Sequence, residues 1–304
     1  MLLAGLLAGA CAAPAPGPGS FEFAVLGDTP YSDAEEHEFI AMIGRIDAEP
    51  LAFAIHVGDF KGGGDCSDAL YARRRAQFDT FTHPLVYTPG DNEWTDCRRR
   101  NMGSMDPLER LARLRQVFFT DRFSLGARMP TDAQDACLAP PIAGCGCGAY
   151  PENRAWEHDG VRFVTLNVPG SDNNVGFDAA SDAEAKCRDA ANARWLERAV
   201  QAVAAPDARA LVIAIQADPW NTRKPVYRGL LAQVEAAAAR LAKPVLFIHG
   251  DTHTYRVDRP FTAPITRLET YGSPFVGWVK VTVDPRRPEL FGFEPMLQRF
   301  VLPR

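Results

Sequence analysis

The stretch Val245-Leu246-Phe247-Ile248-His249-Gly250-Asp251-Thr252-His253 runs from an unbroken apolar segment into a Gly-Asp turn and on to a histidine. Three other segments end in the same dipeptide. Ala24-Val25-Leu26 meets Gly27-Asp28, Phe53 to Val57 meets Gly58-Asp59, and Leu85-Val86-Tyr87 leads through Thr88-Pro89 to Gly90-Asp91. Short apolar runs bounded by turn residues read as buried strands. The end of a buried strand is where an α/β fold presents its chemistry. Glycine permits the sharp turn there, and aspartate then points a hard oxygen ligand into the crevice. One Gly-Asp is only a turn or a cap. Four at strand ends predict a metal site assembled from distant parts of the chain.

Outward from these segments, Phe21–Leu26, Leu51–Val57, Leu85–Thr88, Leu211–Gln216 and Val245–His249 are expected strands. Ala34–Asp47, a segment capped by Ser67 and reaching about Phe81, a segment opening at Asp106-Pro107, Ser181–Ala204 and Tyr227–Leu241 are expected helices. Their alternation implies parallel sheet. Arg154–His158 and Val161–Val168 read as strands paired across a tight Asp159-Gly160 turn. Thr120 to Tyr150 breaks the rhythm with Gly, Pro, Ala and Cys, and is expected to be a disulfide-pinned excursion. The tail from Pro264 to Phe293 alternates apolar and polar and is expected to be antiparallel. Two helix-covered sheet halves in one domain over residues 21–304 follow.

The 304 residues suffice for one large α/β domain or two small ones, and the 46% apolar content supports a real core. A net charge of -5 carries no nucleic-acid-binding signal, so a phosphorylated substrate would need local compensation from metal ions or arginines. Met1 to Ala10 is almost all Leu, Ala and Gly: too short for a transmembrane helix, but similar to the apolar part of an export signal. Leu7-Ala8-Gly9-Ala10-Cys11 also resembles a lipoprotein box, with Cys11 as the lipid anchor; ordinary cleavage is the alternative. No Lys or Arg precedes the apolar run. Residues 1–20 are thus expected to be a signal peptide and a Pro/Ala/Gly linker, with the mature chain in the periplasm or cell envelope. Of seven cysteines, six remain after Cys11, an even number that fits an oxidising compartment. Cys66 follows the second Gly-Asp and Cys97 the third, so the two can pair if those loops meet. Cys137, Cys145, Cys147 and Cys187 have no assigned partners; Cys145-Gly146-Cys147 has poor spacing for zinc.

Taken in order, the loop motifs resemble those of the calcineurin-like metallophosphoesterases, which read D-x-H, G-D, G-N-H-D/E, a later His, and G-H-x-H. The resemblance spans nearly all of the chain after residue 20. It implies a four-layer αββα sandwich with a two-metal centre where the loops converge, and metal-dependent hydrolysis of a small phosphate monoester or diester. Position by position, Asp28 falls on the first acidic ligand and Pro30 on a histidine ligand. Asp59 falls on the bridging aspartate, Asp91 on the asparagine, Asn92 on the catalytic histidine and Glu93 on the acidic residue after it. Gln216 most nearly takes the next histidine position, Asp251 replaces the first histidine of the last motif, and His253 matches the second. The implied ligand set is therefore Asp28, Asp59, Asp91, Gln216, Asp251 and His253, and its oxygen-rich character suits Mg²⁺, Mn²⁺ or Ca²⁺ better than Zn²⁺.

Asn92 is the consequential departure, because an amide donates a hydrogen bond but cannot supply a proton. Either the leaving group is already good, or Glu93, His249 or Asp218 acts as the acid, or the chain binds without hydrolysing. Arg98 and Arg99, with Asn92, are expected at the substrate phosphate, since arginine holds phosphate oxygens bidentately. Arg73 to Arg75 are expected on a solvated helix surface, His56 in the core, and Trp94 and Trp220 packed against the site loops. His83 and His158 carry no signal.

Overall fold

The structure, a computed structural model, describes residues 19–136, 140–146 and 148–302. Residues 1–18 with Cys11, and Cys137 and Cys147, lie outside the described residues.

The chain opens with β1 (Phe21–Leu26), α1 (Asp33–Asp47), β2 (Ala54–His56), α2 (Asp68–Phe78), β3 (Pro84–Tyr87) and α3 (Pro107–Phe118). Each helix starts where a side chain takes an orphan amide. Ser32 accepts from Glu35 N, Ser67 from Leu70 N, and Asp106 from Leu108 N with Pro107 in the first turn. β1, β2 and β3 are parallel neighbours. β4 (Leu125–Gly126) closes one edge of this sheet, and β12 (Phe275–Val283) and β13 (Phe291–Phe300) extend the other, antiparallel. The second sheet contains β5 (Asp132–Gln134), β6 (Tyr150–His158), β7 (Val161–Thr165), β8 (Ala210–Ala214), β9 (Val245–His249), β10 (Arg256–Asp258) and β11 (Ile265–Glu269). A four-residue turn, α4 (Gly170–Asn173), and two long helices, α5 (Ala179–Val203) and α6 (Arg228–Leu241), complete this half.

Both faces of the central parallel strands are buried, which is why β1, β2, β8 and β9 read as continuous apolar runs. Phe23, Val25, Phe53 and Ile55 meet Phe163, Val212, Ile248 and Leu268 between the sheets. On the outer face of the first sheet, Leu26 and Tyr87 pack under Phe39, Met42, Phe78 and Phe118. On the outer face of the second, Val164, Ile213 and Phe247 pack under Trp195, Val200 and Val234. The result is the expected four-layer αββα sandwich. No helix among the described residues is long and apolar enough to cross a membrane.

Two local expectations are corrected. Ile265–Glu269 joins β9 in parallel register, so the tail is antiparallel to its neighbours in the first sheet only from β12 onward. Arg74 is buried against the Phe39 ring instead of solvated, and pairs with Glu36. The excursion after Thr120 supplies an edge strand to each sheet, and Cys145 tethers it to Cys187 on α5.

Candidate metal centre

The Gly-Asp turns at the ends of β1, β2, β3 and β9 meet at one rim. Asp28 N donates to Gly58 O at 2.9 Å, Gly250 N to Gln216 O at 3.0 Å, and Asp251 N to both Asp28 carboxylate oxygens at 3.1 Å. Asp28, Asp59 and Asp251 adopt left-handed backbone, with φ of 52°, 55° and 79°. Aspartate tolerates this region better than most residues, and such strained turns collect at functional sites. Two glycines leave the space the carboxylates need. A Cβ on Gly90 would stand 2.0 Å from Asp59 Oδ1, and one on Gly250 would stand 2.0 Å from Asp28 Oδ2.

The six expected ligand residues lie together. His253 Nε2 is 3.8 Å from Asp28 Oδ1, and its Nδ1 faces Ser273 O at 2.6 Å. Donation from Nδ1 to that carbonyl leaves the Nε2 lone pair facing the carboxylate, the orientation of a metal-ligating histidine. Asp59 Oδ1 accepts from Asn92 N, and Oδ2 from Asn92 Nδ2 and the Tyr31 hydroxyl, all at 3.0 Å. Asp91 Oδ2 accepts from Ser171 Oγ at 2.6 Å. Asp91 and Asp251 flank Gly170, whose Cβ would lie 3.1 Å from Asp91 Oδ2 and 2.8 Å from Asp251 Oδ1. Gln216 is a brace: Oε1 accepts from Gly170 N at 2.6 Å and Nε2 reaches Asp251 Oδ1 at 3.5 Å.

The other expected residues divide. Asn92 is at the centre, on Asp59. Glu93 is fully buried beneath the loops, with Oε1 accepting from Asp59 N, Gly90 N and the Tyr87 hydroxyl at 3.0, 2.8 and 2.7 Å. Arg99 pairs with Asp96 at 2.7 Å and donates to Ser171 Oγ at 3.1 Å, so it reaches Asp91 through Ser171. Arg98 donates to Asn174 Oδ1 at 3.0 Å and stacks on Phe177. His249 follows Ile248 of the inter-sheet core and points the other way, beside Trp220 and Phe247 on the helix-covered face. His56 is core, with Trp94 buried and Trp220 packed on Phe247 and Phe261.

The electrostatics are those of crowded acid. Burial, and then the Asp251 charge, hold the Asp28 carboxyl well above its usual range; burial and then Asp91 do the same for Asp59. Burial, and then Asp91, push Asp251 up to about 7. Among the described residues no lysine or arginine forms an ion pair with Asp28, Asp59, Asp91 or Asp251; His253 stands 3.8 Å from Asp28, and the buried Lys61 feels the charge of Asp59 but donates to Gly62 O and Asn92 O. Four converging buried carboxylates that no lysine or arginine ion-pairs among the described residues fit a cation between them. The donor set and the His253 orientation fit a hard divalent ion, while Pro30 contributes no ligand atom.

Sequence reasoning missed Tyr31 and Ser171. Tyr31 directly follows the first motif and was legible as its neighbour; burial, and then Asp59, push its phenol well above its ordinary range. Ser171 sits in a turn after Pro169 with no motif around it, and only the fold brings it to Asp91.

No protein-family model matches the chain, and no curated protein matches it. Solved structures do. A dimetal phosphatase from Danio rerio superposes with a TM-score of 0.56 at 12% identity, over 92% of this chain and 96% of that one. A Plasmodium protein described as GAP50, the anchor in the inner membrane complex, superposes with a TM-score of 0.51 at 9% identity, over 92% of this chain and 89% of that one. The chain has the calcineurin-like metallophosphoesterase fold.

Proposed function

We propose that this chain is a divalent-cation-dependent phosphoester hydrolase acting on esters whose leaving group departs without a proton from the protein. The observation that carries this reading is the set of buried carboxylates Asp28, Asp59, Asp91 and Asp251, ion-paired to no lysine or arginine among the described residues, at the rim where the strand ends converge. A bound cation would supply Lewis acidity, polarising a phosphoryl oxygen and acidifying an attacking water. Asp28 and His253 would hold one ion, Asp91 and Asp251 a second, and Asp59 would lie between, with Mg²⁺, Mn²⁺ or Ca²⁺ favoured over Zn²⁺. Gln216 would hold Asp251 and Gly170 in place.

Tyr31 and Asn92 are neutral donors already gathered at Asp59, positioned to turn to phosphoryl oxygens. Asn92 has no proton to transfer, burial and Asp59 make the Tyr31 phenol a weak acid, and His249 lies on the other face of the second sheet. A leaving group of low basicity, such as an aryl oxide, then needs no acid. Arg99, held at the rim by Asp96, and Arg98 would meet the outer phosphate oxygens. Among the described residues, disulfides Cys66–Cys97 and Cys145–Cys187 support an exported protein, with Cys11 as a lipid anchor or with the leader cleaved.

The test is an assay of metal-stripped mature protein on aryl phosphate monoesters and diesters of graded leaving-group pKa. Turnover should return with Mg²⁺, Mn²⁺ or Ca²⁺, fall steeply as the leaving group becomes more basic, and drop roughly a hundredfold or more in Asp59→Asn. Absence of turnover with every metal, in wild type and variant alike, would sink the reading. A second reading, a cation or phosphate binder without turnover, is favoured by the hydrogen bonds that already engage both Asp59 oxygens. The fold leaves it open, since one neighbour is described as an anchor. Calorimetric metal affinity without turnover would select it.

A further inference from the structure

Behind the Gly250–His253 loop, on the helix-covered face of the second sheet, Asp218, His249 and Glu269 bring one ligand atom each within 4.8 Å of one another. Among the described residues this is the one such trio of carboxylate, imidazole or thiol groups. All three side chains are buried. They come from the ends of β8, β9 and β11, neighbouring parallel strands whose alternation turns Phe247 and His249, and Arg267 and Glu269, to the same outer face.

Two of these groups have unused buried atoms. His249 Nδ1 lies 2.8 Å from Gly250 O, and donation to that carbonyl leaves a lone pair on Nε2, which has no hydrogen-bond partner. Glu269 Oε1 accepts from Thr252 Oγ1 and Thr254 N, while buried Oε2 accepts no hydrogen bond. Asp218 is oriented by Trp220 N, 2.9 Å from Oδ1. One basic group is near: Arg256 Nε, on a partly exposed side chain, ion-pairs with Glu269 Oε2 at 3.5 Å without hydrogen-bonding it, while Arg267 is paired with Asp258 and stacked over Trp220. A buried imidazole lone pair and a buried carboxylate oxygen that accepts no hydrogen bond are the pattern a cation completes.

We propose that Asp218, His249 and Glu269 bind a single divalent transition-metal ion, Zn²⁺ or Mn²⁺, separate from the Asp28–Asp59 centre. One imidazole with two carboxylates suits such ions, and opposite ligands at about 2.1–2.4 Å from an ion stand roughly 4–5 Å apart, so the trio closes on one with little movement. The ion ties together three strand ends. Through the bond from Asp218 N to Asp251 Oδ2, 2.9 Å, and through the Thr252 and Thr254 contacts of Glu269, it fixes the loop that carries Asp251 and His253. Its role is positioning, and the proposal stands whether or not the first centre hydrolyses esters.

Co²⁺ is the probe. Chelator-stripped full-length protein is titrated with Co²⁺, followed by visible absorption and by metal content after gel filtration. The proteins compared are wild type, His249→Ala, Glu269→Gln and the Asp28→Asn/Asp59→Asn double variant. Wild type and the double variant should retain an equivalent of Co²⁺ that His249→Ala and Glu269→Gln lose. Glu269→Gln keeps an oxygen for Thr252 and Thr254, so it decides the matter if His249→Ala does not fold. Co²⁺ uptake in Glu269→Gln equal to wild type, or loss of all uptake in the double variant, overturns the proposal.

Discussion

The backbone amide of Asp218 donates to Asp251 Oδ2 at 2.9 Å, and this bond joins two buried acidic clusters on opposite faces of one sheet. On the inter-sheet side Asp251 belongs with Asp28, Asp59 and Asp91. On the helix-covered side Asp218 belongs with His249 and Glu269. Changes in either cluster are therefore read through the loop between them, as follows.

Acid strengthens the metal-free protein. The folded pKa values of Asp28, Asp59 and Asp251 all lie above their unfolded values, so the stability these groups contribute is fully present below the unfolded carboxylate range and is lost as pH rises through the folded pKa, about 7 for Asp251. In chelator, thermal unfolding should move to higher temperature between pH 8 and pH 5.5. Saturating divalent metal should reverse that slope, because the ligands bind it deprotonated. Equal slopes with and without metal would contradict the carboxylate cluster as a cation site.

Glu93 organises the loops. Glu93→Ala would strand the donors Asp59 N, Gly90 N and the Tyr87 hydroxyl, and should destabilise by roughly 3–5 kcal/mol in denaturant unfolding. Glu93→Gln keeps an oxygen acceptor and should lose less than half as much. If Glu93→Gln instead abolishes turnover at unchanged stability, Glu93 is an acid.

Gly90→Ala tests the close approach of Gly90 to Asp59. The new Cβ would stand 2.0 Å from Asp59 Oδ1, so the carboxylate or the Asp91 loop must shift, at about 1–3 kcal/mol. Metal affinity by calorimetry should fall more than tenfold.

Tyr31→Phe removes the hydroxyl that donates to Asp59 and accepts from Asn92 Nδ2, both at 3.0 Å. One neutral hydrogen bond is worth about 1 kcal/mol, so kcat on aryl phosphates should drop by roughly five- to tenfold, with KM little changed. A change confined to KM would place Tyr31 in ground-state binding only.

Cys66–Cys97 spans 31 residues and clips the loop after Asp59 to the loop after Asp91. Chain-entropy reasoning gives about 3–4 kcal/mol for a closed loop of that size. Cys66→Ser/Cys97→Ser should lower the denaturation midpoint accordingly and weaken metal binding at the same time. Loss of stability with unchanged metal affinity would show that the loops are set without the clip.

The sequence by itself determined the central strands, the main helices, the caps Ser67 and Asp106, and the order in which Asp28, Asp59, Asp91 and Asp251 arrive at strand ends. These are local matters: apolar runs, Ser67 and Asp106 before helices, and Gly-Asp turns, each decided by a few neighbouring residues; the short edge strands β4, β5 and β10 carry no such run. It also placed Cys66 and Cys97 on loops able to meet. What only the tertiary structure decided is which way each polar group points. Ser171 reaches Asp91 only when the two sheets pack, and Tyr31 caps Asp59 only once β1 and β2 pair side by side. Glu93 lies beneath the loops because Tyr87 and two amides converge on it. His249, next to Gly250 in sequence, turns to the other face because side chains alternate along a strand. Sequence spacing fixes proximity along the chain, whereas the sign of a strand's alternation and the stacking of two sheets fix which chemistry shares a cavity.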